Sequence, residues 1–247
     1  MNLIYKKGIS VVIPAYNEEE NIKDAVTTIY EYLKPRFQDY EIIVVSEGSK
    51  DKTDEIVKGF AARMKNVRLL SNPKNFGFGG ALKTGLTSAK KELIFYTDAD
   101  MQFDINELDK LLPMIERYDV VTGFKIKRND PLMRAWMSWL YNATMRTLFG
   151  LKLKDINCAF KLYKREVIEG VDFLPNLTQG VVNAEIYASA LKNGFSIGEV
   201  GVRHFARQKG NANAEVGGRG KIIAFVRPKI MLEFLKDTIK LWKKIHL

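Results

Sequence analysis

Short apolar runs and amphipathic stretches alternate through the first half of the chain. Ile9–Ile13, Glu41–Val45, Val67–Leu70, Leu93–Thr97 and Val120–Gly123 are rich in β-branched or aromatic residues and predict five strands. Between them the apolar positions fall three and four apart. This happens over Glu18–Leu33 (Ile22, Ala25, Val26, Ile29, Leu33), Asp51–Met64, Phe78–Ala89 and Asn106–Ile115. Such spacing puts the apolar groups on one face of a helix. Pro113 lies inside the last of these stretches and predicts an early end, because proline lacks a backbone donor. Strands alternating with helices predict an α/β domain on a mostly parallel sheet.

The second half is less regular. Leu132–Phe149 predicts a long helix carrying Trp136, Trp139 and Tyr141. Its polar residues Arg134, Ser138, Asn142 and Arg146 recur every four positions and form one narrow stripe. Asn157–Tyr163 and Ile197–Val202 read as strands, and Val181–Leu191 as a helix capped by Gly194. Residues 203–221 are rich in Gly, Asn and basic groups and predict a mobile loop. Pro228 opens a final helix, with Met231, Phe234, Leu235, Trp242 and Ile245 on one face. Lys236, Lys240, Lys243 and Lys244 fall largely off that face. Aromatic residues in the first helix, and lysines beside an apolar face in the last, predict contact with a membrane surface. Packing on the core or in a homo-oligomer is the competing reading.

Composition narrows the class. The 247 residues, 46% of them hydrophobic, suffice for one sizeable core. The single cysteine, Cys158, excludes an internal disulfide and fits a reducing compartment. No run reaches the roughly 18 apolar residues of a membrane-spanning helix, and the first residues run straight into a strand-like stretch without a secretory leader. A protein working in the cytoplasm, peripheral on the cytoplasmic face of a membrane, is therefore expected. The net charge of +10 is concentrated: residues 201–247 carry eleven Lys/Arg against three Asp/Glu. A basic tail implies an anionic partner, which is a nucleic acid, a phospholipid surface or a phosphorylated substrate. A nucleic-acid-binding module fits poorly, because the first 200 residues are nearly balanced and cluster acids that would repel a phosphate backbone.

Parallel sheets bind ligands beyond the carboxyl ends of their strands. The polar residues predicted there are Asn17 and Glu18, then Glu47, then Asn75, then Asp98 and Asp100. The sharpest signal is Asp98-Ala99-Asp100-Met101-Gln102, at the tip of the apolar run Leu93–Tyr96. Burying one unpaired carboxylate is costly, and two neighbouring ones repel. Mg2+ or Mn2+ would relieve both costs and keep coordination places for a diphosphate. The alternative is that Asp98 caps a turn and Asp100 is solvated. Gly77–Gly80 is no phosphate-binding P-loop, since no Gly-Lys-Ser/Thr ending follows; glycine there permits a tight turn and a close helix approach.

Four segments share a pattern. They are Val11-Val12-Ile13-Pro14-Ala15-Tyr16-Asn17-Glu18, then Val44-Val45-Ser46-Glu47-Gly48-Ser49-Lys50-Asp51-Lys52-Thr53, then Asn75-Phe76-Gly77-Phe78-Gly79, then Asp98-Ala99-Asp100. In kind, order and spacing they resemble the family 2 glycosyltransferases of GT-A fold, which commonly read V-I-P-x-Y-N-E, V-V-D-D-G-S-x-D-x-T, N-x-G-x-G-x-A and D-A-D. Asp155-Ile156-Asn157-Cys158-Ala159-Phe160-Lys161-Leu162-Tyr163 resembles the D-x-x-C-G-F-K-L-F stretch of polyprenyl-phosphate sugar transferases, such as dolichyl-phosphate β-glucosyltransferases and dolichol-phosphate mannose synthases. Asn183-Ala184-Glu185-Ile186 stands where these have D-x-E-L, and Val202–Gly210 is similar to their V-x-H-x-x-R-x-x-G.

The resemblance implies a GT-A catalytic domain over 1–210, with 132–149 inserted as an interfacial helix, and a basic loop and amphipathic helix over 211–247. It implies a metal on Asp100, with Asp98 and Gln102 assisting it or the sugar diphosphate. Pro14, Tyr16, Asn17 and Glu18 would line the nucleotide pocket, Glu47 would take a hydrogen bond from the base, and Asn75 would contact the nucleotide. Ser46 and Glu47 replace the usual two Asp, which leaves UDP- and GDP-sugars both open. The implied acceptor is a polyprenyl phosphate of dolichyl type. An acceptor phosphate is already anionic near neutral pH and needs no general base, only cations to position it. Arg203, Arg207, Lys209 and Lys125 are the candidates, with Arg207 favoured by its motif position. A hydroxyl acceptor in polysaccharide or glycolipid synthesis is the alternative, and it would need Glu185 or Asp155 as base.

Overall fold

The computed structural model describes residues 5–72, 77–126, 132–175, 177, 179–207, 209 and 228–247. Seven strands form one sheet: β1 (Ile9–Ala15), β2 (Tyr40–Ser46), β3 (Val67–Ser71), β4 (Leu93–Thr97), β5 (Val120–Lys125), β6 (Phe160–Lys164) and β7 (Ile197–Val202), in the order β3-β2-β1-β4-β6-β5-β7. All the pairings are parallel except those of β6, which runs antiparallel to both β4 and β5. Strand alternation sorts the core into two layers. Val11 and Ile13 of β1 face the helices α1 (Ile22–Leu33), α2 (Thr53–Ala61) and α4 (Leu108–Leu111). Val12 faces α3 (Gly77–Ser88), α5 (Leu132–Phe149) and α7 (Gln179–Lys192), with α8 (Pro228–His246) packed on α7. A short α6 (Arg165–Glu169), unmarked by any apolar period long enough to read, follows β6.

Two helices differ from the sequence reading. Asn106–Ile115 breaks into a 3-10 turn, the single-turn α4 and a second 3-10 turn, as Pro113 requires. In α8 the buried stripe is Asp237, Thr238 and Leu241, with Phe234 and Ile245 partly buried against the core. Leu235 and Trp242, expected on one face with Phe234, belong to a neighbouring exposed stripe with Leu232 and Ile239. The helix thus carries two adjacent apolar stripes, and the period alone does not say which one the domain covers. The side chains of Arg134 and Met231, the loop 211–227 and Asn75 lie outside the described residues.

Two glycines let α3 pack closely, Gly85 against the sheet and Gly79 against the chain leading into α7. A Cβ on Gly85 would sit 2.3 Å from Val12 Cγ1 and 3.0 Å from Val45 Cγ2. One on Gly79 would sit 2.4 Å from the Leu177 carbonyl oxygen. The close approach read from the sequence for Gly77–Gly80 is made at Gly79, and Gly85 adds a second one that was not read.

Candidate active site

Chain order along the sheet reverses between β1 and β4, which is where open α/β sheets form their ligand crevice. Their pairing runs from Ile9↔Leu93 to Val12↔Tyr96 and stops. Pro14 stands beyond that last pair, so its missing N–H is not needed on the β4 side. The strands part there, and each is followed by a residue with left-handed backbone: Asn17 (φ 53) after β1 and Met101 (φ 58) after β4. Non-glycine residues rarely hold this conformation, and it turns the chain sharply around the polar groups beside them.

On the β1 side the turn is braced by the β2–α2 loop. Asn17 N–H donates to Ser49 Oγ, Lys50 N–H donates to Asn17 Oδ1, and Glu18 N–H donates to Thr53 Oγ1. Glu18 is buried and accepts from Asn21 Nδ2 at 2.8 Å and from the Arg207 guanidinium at 2.5 Å. Tyr16 is half-buried beside them. Glu47, at the tip of β2, is buried and accepts from Asn72 Nδ2.

On the β4 side Asp98 and Asp100 are both half-buried. Tyr96 Oη donates to Asp98 Oδ1 at 2.9 Å, and Gln102 N–H donates to Asp100 Oδ1 at 3.1 Å. Desolvation, then the neighbouring charge of Asp100, pushes the Asp98 carboxyl up to about 7. Desolvation also raises Asp100, against the Gln102 N–H and the positive charge of Arg207. Two carboxylates in each other's field, each with one oxygen hydrogen-bonded, are a donor set that a hard divalent cation fits. Among the described residues no third acid, histidine or cysteine joins them. The protein therefore supplies few ligands, as for a cation that shares its shell with a diphosphate. Gln102 is differently employed: its Nε2 donates to the Phe205 carbonyl and its carbonyl accepts from Phe205 N–H, while Phe103 bridges to His204. It ties the 203–207 segment to the acid turn.

The candidate cations divide. Arg203 is held by Glu107 and Asp104, Lys209 by Asp24, and Arg207 by Glu18. Lys125, at the end of β5, makes no ion pair among the described residues, and its charge is felt by both Asp98 and Asp100. Glu185, read from the sequence as a possible base, is fully buried on α7. Its Oε1 accepts from Leu174 N–H at 2.8 Å and from Lys244 Nζ of α8 at 3.0 Å. That pairing ties α7 to the C-terminal helix. Asp155 is buried.

One group was missed. Lys161 of β6 pairs in register with Tyr96 of β4 and Thr122 of β5, and it is fully buried. Its Nζ donates to Asn183 Oδ1 at 2.7 Å. Burial pulls its ammonium down to about 8, against the nearby carboxylates of Asp155 and Asp98. Its signals in the sequence were a lysine among the apolar residues of a strand and its place in the Asp155–Tyr163 stretch.

Comparison with known proteins agrees with this geometry. The chain is 30% identical over 208 residues to a dolichyl-phosphate beta-glucosyltransferase of Trichomonas vaginalis, covering 78% of this chain and 64% of that one. It is 34% identical over 168 residues to an undecaprenyl-phosphate 4-deoxy-4-formamido-L-arabinose transferase of Photorhabdus laumondii, covering 67% of this chain and 51% of that one. The chain thus spans between about half and two thirds of the length of these relatives. Glucosyl-3-phosphoglycerate synthase of Mycobacterium tuberculosis superposes with a TM-score of 0.69 at 19% identity, over 96% of this chain and 80% of that one. The same synthase has been crystallised with Mn2+, UDP-glucose and glycerol 3-phosphate. The family model for glycosyl transferase family 2 matches residues 10–171, from the first residues of β1 past the end of α6 and so across the whole β1–β4 crevice. This chain belongs to glycosyl transferase family 2, as a glycosyltransferase domain of GT-A fold.

Proposed function

We propose that this protein transfers a sugar from a UDP- or GDP-sugar to the phosphate of a polyprenyl-type lipid at a membrane surface, with inversion at the anomeric carbon. The observation that carries this reading is the make-up of the crevice: two acids on one wall face cations, Lys125 and Arg207, and the candidate base Glu185 is engaged elsewhere. A phosphate acceptor brings its own anionic nucleophile, so cations that position it suffice. Asp98 and Asp100 would hold Mg2+ or Mn2+, which when bound offsets the charge developing on the leaving diphosphate. Gln102 would act by holding the 203–207 segment in place. Pro14, Tyr16, Asn17 and Glu18 would wall the nucleotide pocket on the β1 side, and Glu47 would accept from the base. Asn75 keeps its proposed nucleotide contact on sequence grounds.

Arg207 would serve the acceptor only after leaving Glu18, whereas Lys125 has no ion pair to leave among the described residues. The relatives named for polyprenyl-phosphate acceptors support the lipid. The exposed apolar side chains of α5 and α8 support the membrane surface: Trp136, Trp139 and Leu140 on one, and Leu232, Leu235, Ile239 and Trp242 on the other. No helix among the described residues is long and apolar enough to cross a membrane, so contact would be at the interface.

The test is transfer of radiolabelled sugar to dolichyl phosphate from a panel of UDP- and GDP-sugars with Mn2+. D100N should lower kcat by about a hundredfold or more. K125A should raise KM for the lipid phosphate far more than KM for the donor. No transfer to lipid phosphate from any donor, with transfer to a hydroxyl acceptor instead, would overturn the acceptor. Full activity of D100N would overturn the metal site.

A further inference from the structure

Lys161 is the only fully buried lysine among the described residues, and the chemistry above does not use it. Its ammonium makes one hydrogen bond, to the neutral amide of Asn183, and faces the rings of Tyr96 and Tyr187 at 5.3 and 5.6 Å. Asn183 is fixed in turn, its Nδ2 donating to Asn157 Oδ1 at 3.0 Å. Among the described residues no carboxylate forms an ion pair with Lys161. The neutral amide of Asn183 orients the ammonium without cancelling its charge. A buried ion without a counter-ion is costly unless its field is used. This field reaches the crevice: Tyr96, whose ring meets the ammonium, donates its hydroxyl to Asp98.

We propose that Lys161 is a fixed positive charge beneath the donor site, held un-neutralised by Asn183, and that the pair sets how the site divides its affinity between a free divalent cation and a nucleoside diphosphate. The inference rests on reading Asp98 and Asp100 as the metal–diphosphate site. A cation under that floor opposes a second cation arriving alone and favours a diphosphate arriving alone. Its effect on the two ligands therefore has opposite signs, and low local polarity enlarges both. Lys161 touches no reacting atom and is a positioning residue.

The experiment measures two affinities by titration calorimetry on the full chain: Mn2+ with no nucleotide, and UDP or GDP in the presence of EDTA. K161M removes the charge at similar volume. N183D neutralises it without removing the lysine, and serves should K161M fail to fold, with thermal melting reporting folding for each. In either variant Mn2+ alone should bind about three- to tenfold tighter and the nucleotide alone weaker by a similar factor. A purely structural role would weaken both ligands together. Parallel changes, or no change in either, overturn the inference. If the wild-type protein binds neither Mn2+ nor either nucleotide, the site reading itself fails.

Discussion

Asn17 and Met101 hold left-handed backbone at the tips of two neighbouring strands, and each such residue costs about 1 kcal/mol. Both lie next to the groups proposed to form the site, and the bracing from Ser49, Lys50 and Thr53 holds one of them in place. The acids at these tips were legible because each sits directly after an apolar run, where buried carboxylates need a reason. Lys161 was not, because its meaning depends on being in a central strand beside Tyr96, a pairing 65 residues apart in the chain. The pairing of Glu185 with Lys244, 59 residues away, was hidden for the same cause. Some acids are simpler. Asp119 accepts from Lys164 Nζ, Ser196 N–H and Ser196 Oγ, and the bonds from these partners outweigh desolvation and lower its carboxyl from 3.8 to about 2. A depressed folded-state value means stability that is present above the unfolded value and lost as pH falls through the folded one. D119N should therefore melt below wild type at neutral pH, and the gap should close between pH 3.8 and about 2. A gap that stays constant over that range would show that the charge is not what matters.

Among the elements, α3 is set close to the sheet by Gly85. Its glycines could be read as permitting close approach, but not which of them touches. G85A should destabilise the fold by about 2 kcal/mol, since the added methyl meets Val12 and Val45 of two adjacent strands. The double variant V12A/G85A should melt closer to V12A than the sum of the single effects predicts, which denaturant titration would measure. Wild-type stability in G85A would mean that the helix shifts freely. The helix α5 shows where periodicity gives the pattern but not its direction. Its polar stripe was plain, yet a polar stripe normally faces water. Here Asn142 is buried and accepts from Ile156 N–H, and Arg146 donates to the carbonyls of Leu153 and Lys154. The Asn142–Arg146 end of the stripe thus serves loop backbone that needs partners, and Trp136 and Trp139 are exposed.

Across the whole molecule, the α/β class and every strand were legible, because a sheet buried on both faces leaves continuous apolar runs. The antiparallel place of β6 was not, since a strand's direction depends on its neighbours and leaves no mark in its own residues. Nor was the seating of α8, fixed by Lys244 on Glu185 and by Lys192 Nζ donating to the carbonyls of Lys244 and Ile245. These contacts join the last helix to α7, and Phe234 of α8 is in ring contact with Tyr141 of α5.

The exposure of the α5 tryptophans has a spectroscopic consequence. The chain has three tryptophans, and all of them, Trp136, Trp139 and Trp242, are exposed on α5 and α8. Indole emission from this protein therefore reports on that surface and not on the core. Denaturant should shift its wavelength little, since the rings already meet water in the folded state. Vesicles of anionic phospholipid should move it to the blue, and a water-soluble quencher should lose access. A blue-shifted spectrum in buffer alone would instead mean that a second copy of the chain already covers these rings. The fold thus carries its own unlabelled sensor for what docks there.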